Sequence, residues 1–329
     1  MTSEPQDFDP YRNDPDRWGV SLAQMAEIML PCLDAAGVRS IAEVGAFAGD
    51  LTRVLVAWGA GSGAAVTAID PSPRPGLEAL AREHPELTLI RETSIEALPR
   101  IALPDAIVID GDHNYYTVSE ELRLVSERAS GADLPLLLFH DVCWPHGRRD
   151  DYFAADQIPP DARHPTAGDA GIFPGEAGVR PGGMPYPRSA SHEGGPANGV
   201  LTAIEDFVSD RPSLRLVVVP AFFGFGVAWH TGSPWSDDVA RILDPFDRHP
   251  VLERLESNRV QHLARGYSRQ VELWELQRRL ARQEAVLQRL LDSSAFSVAE
   301  RLSRLRARAG MATEQSIVSK AEIRTALRG

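Results

Sequence analysis

The chain has 329 residues, is 43% hydrophobic and carries a formal net charge of -12, enough apolar material for a large core in one or two domains. That charge argues against a nucleic-acid binder, which shows a basic face to phosphates. Cys32 and Cys143 are too few for a disulfide framework or thiolate zinc site and fit a cytoplasmic setting; no signal peptide or membrane span of about 20 apolar residues is evident.

Residues 1–20, rich in Asp and Pro, read as a loose arm, followed by an amphipathic helix near Ser21 to Ala36 that stops at Gly37. Short apolar runs at Ser40 to Val44, Ala65 to Ile69, Thr88 to Arg91, Ala106 to Ile109 and Leu134 to Phe139 then alternate with helical segments such as Gly76 to Glu83 and Val118 to Ala129. This is the pattern of an α/β doubly wound, mostly parallel sheet. From 142 to 198 the pattern stops, in a stretch rich in Gly, Pro, Asp, Arg and His that is too long for a passive connection and reads as a lid insertion. A helix over Val200 to Val208 precedes two closely spaced strands, Leu214 to Val219 and Phe223 to Trp229, whose short connection demands an antiparallel hairpin. They bring the sheet to seven strands and close a body over 21–249.

Residues 250–329 form a helical extension. Leu273, Leu276, Leu280, Leu287 and Leu290, interrupted at Gln283, trace a heptad seam expected to join copies of the chain into a homo-oligomer. The extension is also basic: residues 252–329 carry 15 basic and 9 acidic side chains, against 19 and 37 before them.

Two regions carry chemistry. After the first strand, Glu43-Val-Gly45-Ala46-Phe47-Ala-Gly49 sets an acid and two glycines before a helix, where a ligand can approach the backbone and unpaired amides. The third glycine of a dinucleotide turn is missing, and Glu43 sits where it would repel phosphate. Asp70, followed by Pro71, closes the second strand at the position from which a carboxylate takes both ribose hydroxyls, and Thr93 and Ser94 are placed to border an adenine. An adenosine bearing a cationic group and no phosphate suits this set. At the other region, the fourth strand runs into Asp110-Gly-Asp112-His113 and the fifth into His140-Asp141, five acid, base or metal-binding groups at strand ends. Asp112 or His113 could instead cap the next helix. In the insertion, Ser191-His192-Glu193-Gly-Gly reads as a pocket-lining turn with His192 as a substrate contact or supporting base, and His146, Arg148 and Arg149 as lid or surface residues.

With these residues the chain, from about Ser21 to His230, resembles the class I S-adenosylmethionine-dependent methyltransferases, whose Rossmann-like sheet ends in an antiparallel reversal. The resemblance implies that Glu43 and Gly45 lie near the methionine moiety, that Asp70 holds the ribose and that Ser94 edges the adenine. Within that superfamily, Asp110 to His113 and His140-Asp141 are similar to the divalent-metal-dependent O-methyltransferases of sugars, catechols and other natural products. It implies Asp110, His140 and Asp141 as ligands of magnesium, and His113 where the catechol enzymes keep a lysine base. His140 departs from the pattern, since an oxygen ligand is usual there; imidazole admits manganese, iron or zinc, or makes His140 a base. The expected reaction is methylation of a hydroxyl on a small metabolite, with His113 accepting its proton near neutral pH. Three other readings stand beside it: a nicotinamide-dependent oxidoreductase, an iron oxygenase with Asp110, His113 and His140 as ligands, and an assembly protein with a vestigial cofactor site.

Overall fold

The structure, a computed structural model, describes residues 21–311 and 318–326; the arm expected over 1–20 lies outside the described residues. A 3₁₀ turn (Leu22–Met25) capped by Ser21 leads into α1 (Ala26–Ala35), and Gly37 at φ +64° ends it. There follow β1 (Ser40–Val44), α2 (Asp50–Ser62), β2 (Ala65–Ile69), α3 (Pro75–Glu83), β3 (Leu87–Ile90), the single-turn α4 (Ser94–Ala97), β4 (Ala106–Ile109), α5 (Tyr115–Ser126) and β5 (Leu136–Phe139). After the insertion come α6 (Val200–Ser209), β6 (Leu214–Val219), β7 (Phe225–His230), α7 (Ser236–Leu243), α8 (Pro250–Asp292), α9 (Ser294–Arg308) and α10 (Lys320–Ala326).

The seven strands form one sheet in the order β3-β2-β1-β4-β5-β7-β6, parallel except for β7, which runs against both neighbours. β4 and β5 are apolar at every position because both faces are covered, while β1 between β2 and β4 carries Glu43. Ala106, Val108, Leu136 and Leu138 pack on one side with α1 to α3 and α7, while Ile107, Ile109, Leu137 and Phe139 pack on the other with α4 to α6. The chain winds outward in one direction from β1 and in the other from β4, so the crevice for a ligand opens at the carboxyl ends of those two neighbours.

Three element starts differ from expectation by two or more residues, each for a local reason. β5 starts at Leu136 because a 3₁₀ turn (Gly131–Asp133) occupies the approach. β7 starts at Phe225 because Phe222 and Phe223 take left-handed φ values of +52° and +67°. α5 starts at Tyr115, since the Asn114 side chain accepts a hydrogen bond from the Thr117 amide at 2.8 Å; neither Asp112 nor His113 is the cap.

The insertion has no long element but is packed. Gly171 and Gly183 cross so closely that a Cβ on Gly171 would lie 2.3 Å from the other backbone. The fully buried Arg149 donates to the carbonyls of Ala190 at 2.6 Å and Ala177 at 2.8 Å. Next to it, the buried Asp150 accepts from the amides of Tyr115 and Gly199, both at 2.7 Å, and thereby ties the starts of α5 and α6 together.

By contact density the chain divides between Tyr267 and Ser268, within α8. In the first unit, α8 buries Glu256, Val260 and Ala264. In the second, Leu273, Leu276, Leu280 and Leu290 are exposed, and Ile323 of α10 is buried. Among the described residues, no helix is long and apolar enough to cross a membrane.

Candidate active site

The turn after β1 is built on glycine. Gly45 has φ +84°, and a Cβ there would sit 2.1 Å from the Asp110 carbonyl oxygen, so the turn lies directly against the end of β4. Gly49, at φ +87°, forms the N-cap of α2. Ala46 is buried, Phe47 is exposed at φ +43°, and the Phe47 amide donates to Asp70 Oδ2 at 2.7 Å. Asp70 Oδ1 accepts from the Ser72 amide beyond Pro71, also at 2.7 Å. Each oxygen keeps lone-pair capacity for a further donor. This orients the carboxylate at the crevice mouth.

Glu43 behaves differently from expectation. It is 2% exposed, accepts a 2.6 Å hydrogen bond from the Thr52 hydroxyl, and burial with Asp110, Asp70 and Asp50 around it pushes its carboxyl up to about 8. At neutral pH it is mostly uncharged, so the argument that it repels phosphate loses its basis. Thr93 is absorbed locally too: its hydroxyl and Glu96 form a capping box on α4, while Ser94 is buried.

The strand-end groups of β4 and β5 converge. One ligand atom from each of Asp110, His140 and Asp141 lies within 4.8 Å of the others. His140 Nε2 lies 2.9 Å from the Phe222 carbonyl, to which it donates, and Nδ1 faces Asp110 Oδ1 at 3.1 Å and Asp141 Oδ2 at 3.4 Å. A carbonyl thus fixes one ring nitrogen while the other points at the two carboxylates. Asp141 holds its position at φ +56° on a buried backbone. The donor set, two carboxylates and an imidazole, fits a divalent cation.

His113 completes the cluster, its Nε2 lying 3.1 Å from Asp141 Oδ2 and 3.5 Å from Asp110 Oδ1. Burial works against charge on both imidazoles, yet Asp141 and Asp110 overcome it and push His113 up to about 10 and His140 up to about 9. Asp110 is correspondingly held down at about 2; burial opposes this, and the His140 charge and hydrogen bonds from both rings prevail. The two carboxylates thus favour the protonated form of both rings.

His146, expected as a lid or surface residue, lies against the cluster. It is 5% exposed, stacks on His113 with ring centroids 4.8 Å apart, and meets Tyr186 edge-on at 5.3 Å. Burial, chiefly, pushes it down to about 3, so it is a neutral wall of the site. The insertion is pinned here as well, since Asp112 accepts from the Phe153 amide at 2.8 Å. His192 is not brought in: its ring is exposed, and among the described residues its contact is through the carbonyl, which accepts from Asn198 at 3.0 Å.

Residues 42–142, from β1 to just past Asp141, match the family described as a methyltransferase domain. No curated protein matches the chain. Among solved structures, an S-adenosylhomocysteine-bound methyltransferase of Podospora anserina is similar at 14% identity and TM-score 0.40, over 67% of this chain and 83% of that one. A candidate caffeoyl-CoA O-methyltransferase of Staphylococcus aureus is similar at 12% identity and TM-score 0.39, over 63% and 83%. A methyltransferase of Geobacter sulfurreducens is similar at 10% identity and TM-score 0.37, over 65% and 83%.

Proposed function

We propose, from the match of residues 42–142 to a methyltransferase domain, that the chain is a class I S-adenosylmethionine-dependent methyltransferase acting on a hydroxyl of a small metabolite such as a sugar unit or natural product, with a divalent cation at Asp110, His140 and Asp141. The observation that carries this reading is the contact between the two halves of the crevice. The Gly45 turn, suited to the methionine moiety, abuts Asp110, whose side chain belongs to the cluster.

Asp70, held by two amides, is set to take the ribose hydroxyls, and Ser94 to border the adenine. S-adenosylmethionine supplies the methyl group on a sulfonium, and a divalent cation, magnesium first with manganese, iron or zinc also compatible, supplies acidity at the acceptor oxygen. His140 contributes Nδ1 because its Nε2 proton is committed to Phe222. His113, beside both carboxylates, would be placed in its neutral form to receive the proton of the acceptor hydroxyl. His146 and the insertion close one side of the crevice and shield it from water. His192 remains a candidate substrate contact from the insertion.

The test is methyl transfer from labelled S-adenosylmethionine into a panel of hydroxylated metabolites, with magnesium or manganese and with chelator. The expected result is metal-stimulated transfer that Asp141→Ala reduces by at least about a hundredfold, a typical worth of an oriented acid–base or metal contact. Full transfer in chelator, with Asp141→Ala unaffected, rejects the metal role.

A further inference from the structure

Among the described residues of the second unit, a leucine row is exposed. On α8, Leu273, Leu276 and Leu280 are 60%, 59% and 55% exposed, and Leu290 is 40% exposed. Their spacing makes 273, 280 and 287 the a positions of a heptad and 276, 283 and 290 the d positions. Such a row is covered by another helix carrying the same repeat.

We infer that the row is covered by the same row of a second copy of the chain, in a parallel, in-register two-stranded coiled coil. Two independent features choose this occupant and orientation. In register, Arg279 at g faces Glu284 at e of the other helix, and the symmetry axis repeats the pair. An antiparallel arrangement that overlaps the same leucines sets Arg279 against Val286 and Glu284 against Gln277, and both charge pairs are lost. The second feature is Gln283, the polar residue at a d position. In register the two Gln283 amides meet and satisfy each other, whereas the antiparallel arrangement buries each against Leu280. The seam does not extend before Leu273, because the preceding d and a positions are Arg269 and Gly266.

The experiment uses the full chain. Sedimentation equilibrium at micromolar concentration is expected to give twice the chain mass. Arg279→Glu should raise the dimer dissociation constant at least tenfold, and Arg279→Glu with Glu284→Arg should restore it. Gln283→Cys should form a single disulfide-linked dimer under mild oxidation, since in-register positions lie within bridging distance, while the parent, with Cys32 buried and Cys143 partly buried, should not. All three positions are exposed, so folding is not at stake. A monomeric parent, a dimer indifferent to Arg279→Glu, or failure of Gln283→Cys to cross-link overturns the proposal.

Discussion

Glu121 sits on α5 at 0% exposure, and neither carboxyl oxygen makes a hydrogen bond of ordinary geometry. Burial, chiefly, with Asp112 nearby, pushes it up to about 8 despite the Ser94 hydroxyl, so it is held as the neutral acid. A folded carboxyl raised above its unfolded value of 4.5 binds an extra proton in the native state between those two limits. Its contribution is complete below pH 4.5 and is lost as pH rises toward 8, at a slope of about 1.4 kcal/mol per pH unit. Glu121→Gln removes that group, so urea midpoints measured from pH 5.5 to 8 should fall less steeply than in the parent; an unchanged slope refutes the assignment. Sequence alone marks Asp110, His140 and Asp141, because an apolar run ending in acids is a local signal. It cannot mark His146 or the uncharged state of Glu43. The first depends on the path of an irregular loop, and the second on how completely the sheet and α2 exclude water.

At the scale of elements, the loop between β6 and β7 governs the cluster from behind. Phe222 and Phe223 both take left-handed φ, which turns their amides toward Glu256 of α8 at 3.1 Å and 2.8 Å and the Phe222 carbonyl toward His140. Glu256 is in turn clamped by Arg259 through two hydrogen bonds of 2.7 Å and 2.6 Å. A carboxylate thus stabilises an otherwise unfavourable loop, and the loop fixes the tautomer of a proposed metal ligand. Glu256→Ala should lower manganese affinity, followed by calorimetry, by about tenfold, the lower end for outer-shell partners. Glu256→Gln keeps an acceptor for one amide and should recover part of it. Manganese affinity equal to the parent's in a folded Glu256→Ala variant shows that the loop orients nothing of consequence.

Across the whole molecule, the parallel order was readable because β4 and β5 are apolar on both faces and end in polar turns, as at Ile107 to Asp110 and Leu137 to His140. The architecture of the insertion was not, since its order comes from buried polar contacts of Arg149 and Asp150 between residues far apart in sequence. The same distinction separates body from extension. Every residue proposed for the cofactor, the cation and the proton lies between Glu43 and His192, and the core that positions them draws on strands and helices up to α7. The segment after Tyr267 holds none of them, while it holds the whole leucine row. A chain ending at Tyr267 keeps Glu256 and Arg259 and therefore the loop behind His140. It should bind S-adenosylmethionine with an affinity within about twofold of the full chain while sedimenting as a monomer. Loss of binding in a truncated chain that retains its circular dichroism and thermal transition defeats this division, because the extension would then be part of what shapes the cofactor crevice.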